Sequence, residues 1–105
     1  MSGNLHYEFH GMDPSDWTES FLNDEFHQLM ESAPPEANMK LRVEKHYDGL
    51  EGKLMMTSKA GTFVVEHKNG DITSLVKSLK KKMKGKLLKW KDSGHHLYTA
   101  NGKAG

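Results

Sequence analysis

The chain has 105 residues, of which 35% are apolar, and its 15 Lys and Arg nearly balance its 14 Asp and Glu to a net charge of +1. This length favours one domain with one modest core, and the absence of cysteine excludes disulfides, thiolate nucleophiles and cysteine-ligated metal sites. Residues 1–11 lack the pattern of a signal peptide, and no stretch approaches the ~20 apolar residues of a membrane span, so we expect a soluble, cytoplasmic protein.

The first two predicted elements are a strand and a helix. Apolar and polar side chains alternate from residue 5 to residue 9, which predicts a strand with one buried face. In the helix that follows, Asp13 is the expected cap and Pro14 the first helical residue. Apolar residues then recur at helical spacing at Trp17, Phe21, Leu22, Phe26, Leu29 and Met30. The Pro34-Pro35 pair is expected to stop this helix.

Three more strands are predicted in the middle of the chain, at residues 39–43, 53–58 and 62–67. Asp48-Gly49 is a hairpin signal between the first two of them. The Gly49-Leu50-Glu51-Gly52-Lys53 run superficially suggests a phosphate loop, but both of its flanks have the pattern of strands. A hairpin turn is therefore the better interpretation.

A second helix is predicted to begin after Asp71, which can cap it, and to end at Gly94. Its apolar positions are Ile72, Leu75, Val76, Leu79, Met83, Leu87 and Trp90. The order β-α-β-β-β-α predicts an α+β sandwich, in which one four-stranded sheet carries both helices on one face. We expect a single domain over residues 1–94 and a short flexible tail over 95–105.

Charge is distributed unevenly along the chain, because residues 1–37 hold eight acidic residues and no Lys or Arg. The second helix holds eight lysines and no acidic residue before position 92, at Lys77, Lys80, Lys81, Lys82, Lys84, Lys86, Lys89 and Lys91. At ~100° per residue five of them fall opposite the apolar face, at Lys77, Lys80, Lys81, Lys84 and Lys91. Lys82 and Lys89 flank that face, Lys86 falls near it, and Leu88 points outward.

This lysine pattern can be explained by binding to a partner or by two structural alternatives without a partner. Like-charge pairs such as Lys77 and Lys81, four residues apart, each cost roughly 0.2–0.5 kcal/mol, so the pattern favours an external polyanion such as a phosphate backbone. All eight lysines are therefore candidate RNA-binding residues. The alternatives are an ordinary solvated face, or neutralisation by a neighbouring first helix through Asp16, Asp24, Glu25 and Glu31. A further hypothesis is docking of the basic helix on an acidic protein partner.

Other candidate sites are weaker. His6 and His10 would lie about 13 Å apart on one strand, and no HExxH motif is present, so the seven histidines predict no metal site. No nucleophile–base constellation is apparent, and we expect neither catalysis nor a cofactor. Five aromatic residues lie at core spacing and are predicted to pack inside, at Tyr7, Trp17, Phe21, Phe26 and Phe63. Tyr47 and Tyr98 are predicted to be more exposed.

Several local motifs carry a family resemblance. The second strand ends in Val43-Glu44-Lys45-His46, Gly61 turns into the fourth strand, and Asp71 opens a helix with basic residues around its apolar positions. With these motifs and its β-α-β-β-β-α order, the segment 10–92 resembles the ribosome hibernation promoting factor family. That family is also called ribosome-associated inhibitor A or the sigma-54 modulation proteins.

The resemblance implies a sandwich like that of double-stranded-RNA-binding domains and a function in ribosome hibernation. A member would bind the small ribosomal subunit in the channel for mRNA and tRNA, contact its rRNA through basic helix residues, and inhibit translation under stress. By position, Lys82, Lys89 and Lys91 match the family's basic sites in the second helix. The first helix departs from the family, because Asp24, Glu25 and Glu31 lie where Lys and Arg are usual. No cofactor or small-molecule substrate is implied.

Overall fold

The computed structural model describes residues 3–92, with side chains from Leu5 onward. Its elements are β1 (Gly3–His10), α1 (Asp16–Met30), β2 (Ala37–His46), β3 (Gly49–Ser58), β4 (Gly61–Asn69) and α2 (Ile72–Asp92). The predicted order β-α-β-β-β-α is therefore confirmed. Neither helix in this described part is long and apolar enough to cross a membrane. The predicted helix end at Gly94 and the tail at 95–105 lie outside the described residues.

The strands form one mixed sheet in the order β1-β2-β3-β4. β1 runs parallel to β2, whereas β2, β3 and β4 form two antiparallel hairpins. The side chains of β2 alternate strictly between buried and exposed from Ala37 to Val43. Because side chains alternate across a strand, the odd-numbered residues of this stretch face the core and the even-numbered ones form an open outer face.

Both helices cover the inner face of the sheet. α2 packs on β3 and β4, and α1 lies beside α2 and against β1. The core joins Leu41, Leu54 and Val65, which are paired across the sheet, to buried residues of the helices such as Phe26 and Leu79. The predicted α+β architecture, with two helices over one four-stranded sheet, is confirmed.

The predicted start of α1 is wrong by a few residues. Ser15 is the cap: its backbone is extended, and its Oγ accepts a hydrogen bond of 3.1 Å from the backbone N–H of Thr18. This serine satisfies one of the unpaired donors at the helix start, so Asp13 and Pro14 lie before the helix. α1 ends at Met30, four residues before Pro34.

The hairpin between β2 and β3 is confirmed, but its turn is shifted. His46 pairs with Gly49, so the two loop residues are Tyr47 and Asp48. Gly49 is the first residue of β3 and has a φ of +146°, where a side chain would be strained. As a result β3 begins four residues earlier than the predicted position 53.

Candidate nucleic-acid interface

The lysine-rich helix α2 begins at a well-formed cap. The carboxylate Oδ2 of Asp71 accepts a hydrogen bond of 3.0 Å from the backbone N–H of Ser74, as predicted for an N-terminal cap. This hydrogen bond holds the pKa of Asp71 below its ordinary value. The cap thereby fixes the first turn of the helix.

An apolar stripe holds α2 against the sheet. Leu75, Leu79, Met83 and Leu87 are fully or almost fully buried. Trp90 is 6% exposed and packs edge-on against Phe63 of β4, with ring centroids 6.4 Å apart. Because this stripe runs along the whole helix, the opposite side of α2 faces solvent over its full length.

Six lysines of α2 are exposed, and we refer to them as the lysine surface: Lys77, Lys81, Lys82, Lys84, Lys89 and Lys91. Leu88 is also outward, with 62% of its area exposed, as predicted. Within residues 3–92, no carboxylate forms an ion pair with any of the six. Lys77 and Lys81, the like-charge pair four residues apart, both lie on this surface and have no carboxylate partner among the described residues.

Lys80 does not lie on the lysine surface, so its predicted outward position is wrong. Its Nζ lies 3.2 Å from Oε1 of Glu25 and 2.8 Å from Oε1 of Gln28, both on α1. Only 13% of the Lys80 side chain is exposed. The helical projection could not show this, because α1 covers the flank of α2 from which Lys80 projects.

Two lysines border the edge strand β4. Lys82 is exposed, and its Nζ donates a hydrogen bond of 2.7 Å to the backbone carbonyl of Glu66. Lys86 is half-buried, in keeping with its predicted place near the apolar side. These two and Lys89 line an open groove of about 400 Å³ between α2 and β4, and Val64 and Glu66 line it from the strand. With three lysines and one glutamate, the groove carries net positive charge beside the edge of the sheet.

Cations on the outer face of the sheet are neutralised, in contrast to the lysine surface. Arg42 donates to Oε2 of Glu44 at 3.0 Å and lies 3.8 Å from Oε1 of Glu8. Lys40 lies 3.9 Å from the same Glu8 oxygen. A hydrogen bond from His10, together with Lys40, lowers the pKa of Glu8. This face is therefore a mixed ionic surface, and it lacks the unpaired positive charge of α2.

The first helix presents an acidic surface beside the basic one. Asp16, Asp24 and Glu31 are exposed, and Glu25 is the acidic residue that pairs with α2. The hypothesis of neutralisation by α1 therefore holds for Lys80 and does not extend to the lysine surface. Acidic α1 and basic α2 lie side by side on the same layer.

The prediction that Trp17 packs in the core is wrong. The residue is 62% exposed and stacks on Phe21, with ring centroids 5.3 Å apart and planes 3° from parallel. The buried face of α1 is instead formed by Thr18, Leu22, Phe26 and Leu29. Tyr47 is fully exposed, as predicted, whereas Tyr98 lies outside the described residues.

Sequence reasoning missed one cluster of side chains. His46, Glu44 and Glu51 lie together at the end of the β2–β3 hairpin, with potential metal-ligating atoms within 4.8 Å of one another. Spacing along a single strand, such as that between His6 and His10, does not reveal such a cluster. The cross-strand register, which pairs Glu44 with Glu51, was the signal that could have found it.

The fold is similar to two solved structures with related descriptions. The N-terminal domain of Protein Y from Thermus thermophilus aligns with a TM-score of 0.69 and 10% identity, over 83% of this chain and 94% of that domain. A ribosomal subunit interface protein from Coxiella burnetii aligns with a TM-score of 0.75 and 15% identity, over 85% of this chain and 98% of that protein.

No protein-family model matches the sequence, and no curated protein sequence matches it. At 10% and 15% identity the two structural similarities establish a shared fold. The resemblance predicted from the sequence is confirmed at that level, because the neighbours cover nearly the whole described part of the chain.

Proposed function

We propose that this protein belongs to the ribosome hibernation promoting factor family and associates with the small ribosomal subunit. The observation that carries the proposal is the lysine surface: six exposed lysines on one helix, none of them in an ion pair with a carboxylate of the described residues. A polyanion such as rRNA would occupy this surface, because lysines that neutralise phosphates release condensed counterions.

The fold supports the ribosome as the partner. One of the two solved structures with this fold is described as a ribosomal subunit interface protein. The match covers 98% of that protein. A surface charge on its own would fit any nucleic acid. Taken with the fold, it favours ribosomal RNA as the polyanion.

In this proposal the protein acts by occupancy and carries out no chemistry. Bound at the rRNA of the small subunit, it would inhibit translation and promote ribosome hibernation under stress, in the cytoplasm. The contacts would come from the lysine surface, with Lys86 contributing from the groove beside β4. Lys80 would support the interface indirectly by joining α2 to α1.

Sedimentation with purified ribosomes tests this proposal. The wild-type protein should co-sediment with the small subunit at low salt and dissociate as salt rises, since backbone contacts weaken with ionic strength. Replacing Lys81→Glu and Lys84→Glu together should abolish co-sedimentation while the circular dichroism spectrum stays native. Both side chains are exposed, so the core is left intact.

A matched control reverses the same number of charges elsewhere. Lys45→Glu with Lys53→Glu changes two exposed lysines outside α2 and should retain salt-sensitive co-sedimentation. Unchanged sedimentation of the Lys81/Lys84 variant would refute the assignment of the interface to α2. Excess unrelated structured RNA should displace the wild-type protein; retention would instead indicate an acidic protein partner.

A further inference from the structure

The end of the β2–β3 hairpin brings three potential metal ligands together on the outer face of the sheet. The ring nitrogen Nε2 of His46 lies 3.0 Å from Oε1 of Glu51 and 3.8 Å from Oε1 of Glu44. All three ligand atoms lie within 4.8 Å of one another. A zinc ion bound at about 2.1 Å from each of three such atoms separates them by about 3.4 Å in tetrahedral geometry. The two distances from His46 Nε2, 3.0 Å and 3.8 Å, bracket that value.

The strand register places the two carboxylates where they repel one another. Glu44 on β2 is directly opposite Glu51 on β3, and like charges directly opposite on neighbouring strands destabilise a sheet. A cation between them would remove this repulsion. His46, two residues along β2 from Glu44, adds a nitrogen ligand on the same face.

Neighbouring cations are oriented so that they leave these ligand atoms available. Arg42 donates to Oε2 of Glu44, while it is Oε1 of Glu44 that faces His46. Hydrogen bonds of this kind orient a metal-binding carboxylate in many metal sites. On the other side, Lys68 is paired across the sheet with Glu51. Its Nζ is instead held by Oδ2 of Asp48 at 2.9 Å, an interaction that lowers the pKa of Asp48.

We propose that Glu44, His46 and Glu51 form a binding site for a divalent transition-metal ion of the Zn²⁺ type. One imidazole nitrogen with two carboxylate oxygens suits zinc and its neighbours, whereas Mg²⁺ and Ca²⁺ prefer oxygen ligands alone. The three side chains are between 36% and 52% exposed, which leaves water to complete the coordination. Binding would replace the present 3.0 Å contact between Nε2 of His46 and Oε1 of Glu51.

The site would act as a clamp on the hairpin and is independent of the lysine surface. Glu44 and His46 lie on β2 and Glu51 on β3, so one ion would cross-link two strands at their turn. The cluster lies on the outer face of the sheet, whereas the lysine surface lies on the helix layer. Failure of ribosome binding would therefore leave this proposal standing, and the reverse also holds.

Zinc titration followed by site-resolved NMR tests the proposal. Long-range ¹H–¹⁵N spectra distinguish the ring nitrogens of the seven histidines, so binding at His46 can be separated from binding at the others. We expect saturable, equimolar Zn²⁺ binding that shifts the Nε2 resonance of His46. The same concentration of Mg²⁺ should leave that resonance unchanged.

Variants complete the test. His46→Gln and Glu51→Gln should each weaken Zn²⁺ binding measured by calorimetry roughly tenfold or more, since even groups that only orient ligands are worth about 10–100-fold. The control His10→Gln changes another histidine of the outer face, one that faces Glu8 at 3.3 Å, and should bind Zn²⁺ as the wild type does. A titration that shifts only other histidines would overturn the proposal. So would Zn²⁺ binding by His46→Gln and Glu51→Gln that is as tight as that of the wild type.

Discussion

Lys80 of α2 and Glu25 of α1 form an ion pair across the two helices, with 3.2 Å between Nζ and Oε1 and side chains only 13% and 19% exposed. The pair joins residues 55 positions apart in the sequence. Burial makes this contact different in kind from the surface ion pairs of the sheet, because a partly desolvated charge is costly once its partner is removed. One lysine of the basic helix therefore stabilises the fold.

We predict that Lys80→Met destabilises the protein by about 1–3 kcal/mol, because it leaves Glu25 partly buried without its cation. The double variant Lys80→Met, Glu25→Met should recover much of this loss, since apolar replacement of both partners is often close to neutral. Urea unfolding of the two single variants and the double variant measures the coupling. Strict additivity of the free energies of unfolding would contradict a direct Lys80–Glu25 interaction.

Gly52 of β3 sets how closely α2 approaches the sheet. A Cβ on Gly52 would lie 2.8 Å from Cδ1 of Leu79 and 3.1 Å from Cδ2 of Leu75. Gly52→Ala should therefore destabilise the protein by about 1–3 kcal/mol through overpacking. The control is Gly85→Ala: this glycine lies within α2, and apart from its own stretch of helix no atom would lie within 4 Å of an added Cβ, so alanine should stabilise by about 0.5–1 kcal/mol. Denaturant unfolding that showed no difference between these variants would refute the close approach.

The Asp71 cap should make the protein less stable at acidic pH. Its pKa is lowered in the folded protein by the backbone N–H of Ser74, so the unfolded chain takes up this proton at a higher pH. The contribution is present above the unfolded pKa of about 3.9 and is lost as the pH falls through the lower folded value. Asp71→Ser keeps a capping side chain without a titrating group. Its melting temperature should consequently fall less than that of the wild type between pH 7 and pH 3; equal falls would contradict the prediction.

Tyr7 should make the protein sensitive to alkaline pH. Burial raises the pKa of its phenol to about 12, and its hydroxyl donates a hydrogen bond of 2.8 Å to Oδ1 of Asn23. Because an unfolded tyrosine loses its proton near pH 10, stability should fall as the pH rises from about 10 towards 12. Tyr7→Phe removes this titration, and its melting temperature should change less over that range. An equal or steeper loss in Tyr7→Phe would contradict this prediction.

Much of the fold could be predicted because periodicity reports burial directly. Once one face of an element must be buried, the alternation along β2 and the apolar stripe of α2 each determine which side chains face the core. Both patterns predict the buried residues of these elements with few errors. The ends of the helices are harder to predict, because neighbouring short polar residues can each serve as the N-terminal cap. Asp13 and Ser15 are both good caps, and the structure uses Ser15.

The errors in side-chain placement have another origin, because the surroundings of a side chain in the folded protein decide whether it is covered. Lys80 and Trp17 were placed by a helical projection of an isolated helix. Lys80 is covered by α1, whereas Trp17 projects to solvent and stacks on Phe21. Likewise, the Glu44–His46–Glu51 cluster depends on the register between two strands. The placements of Lys80 and of this cluster follow from tertiary contacts that no single segment encodes.

In the proposed function the lysine surface of α2 neutralises phosphates of the small ribosomal subunit, and the salt dependence of binding measures this most directly. The logarithm of the binding constant should fall linearly with the logarithm of salt concentration. Lys81→Ala with Lys84→Ala should reduce the magnitude of that slope by about 2, one for each lost phosphate contact. The control Lys40→Ala with Lys53→Ala removes two lysines of the outer sheet face, which lie near Glu8 and Glu66, and should leave the slope unchanged. An unchanged slope for the Lys81/Lys84 variant, or an equal reduction in the control, would contradict the account.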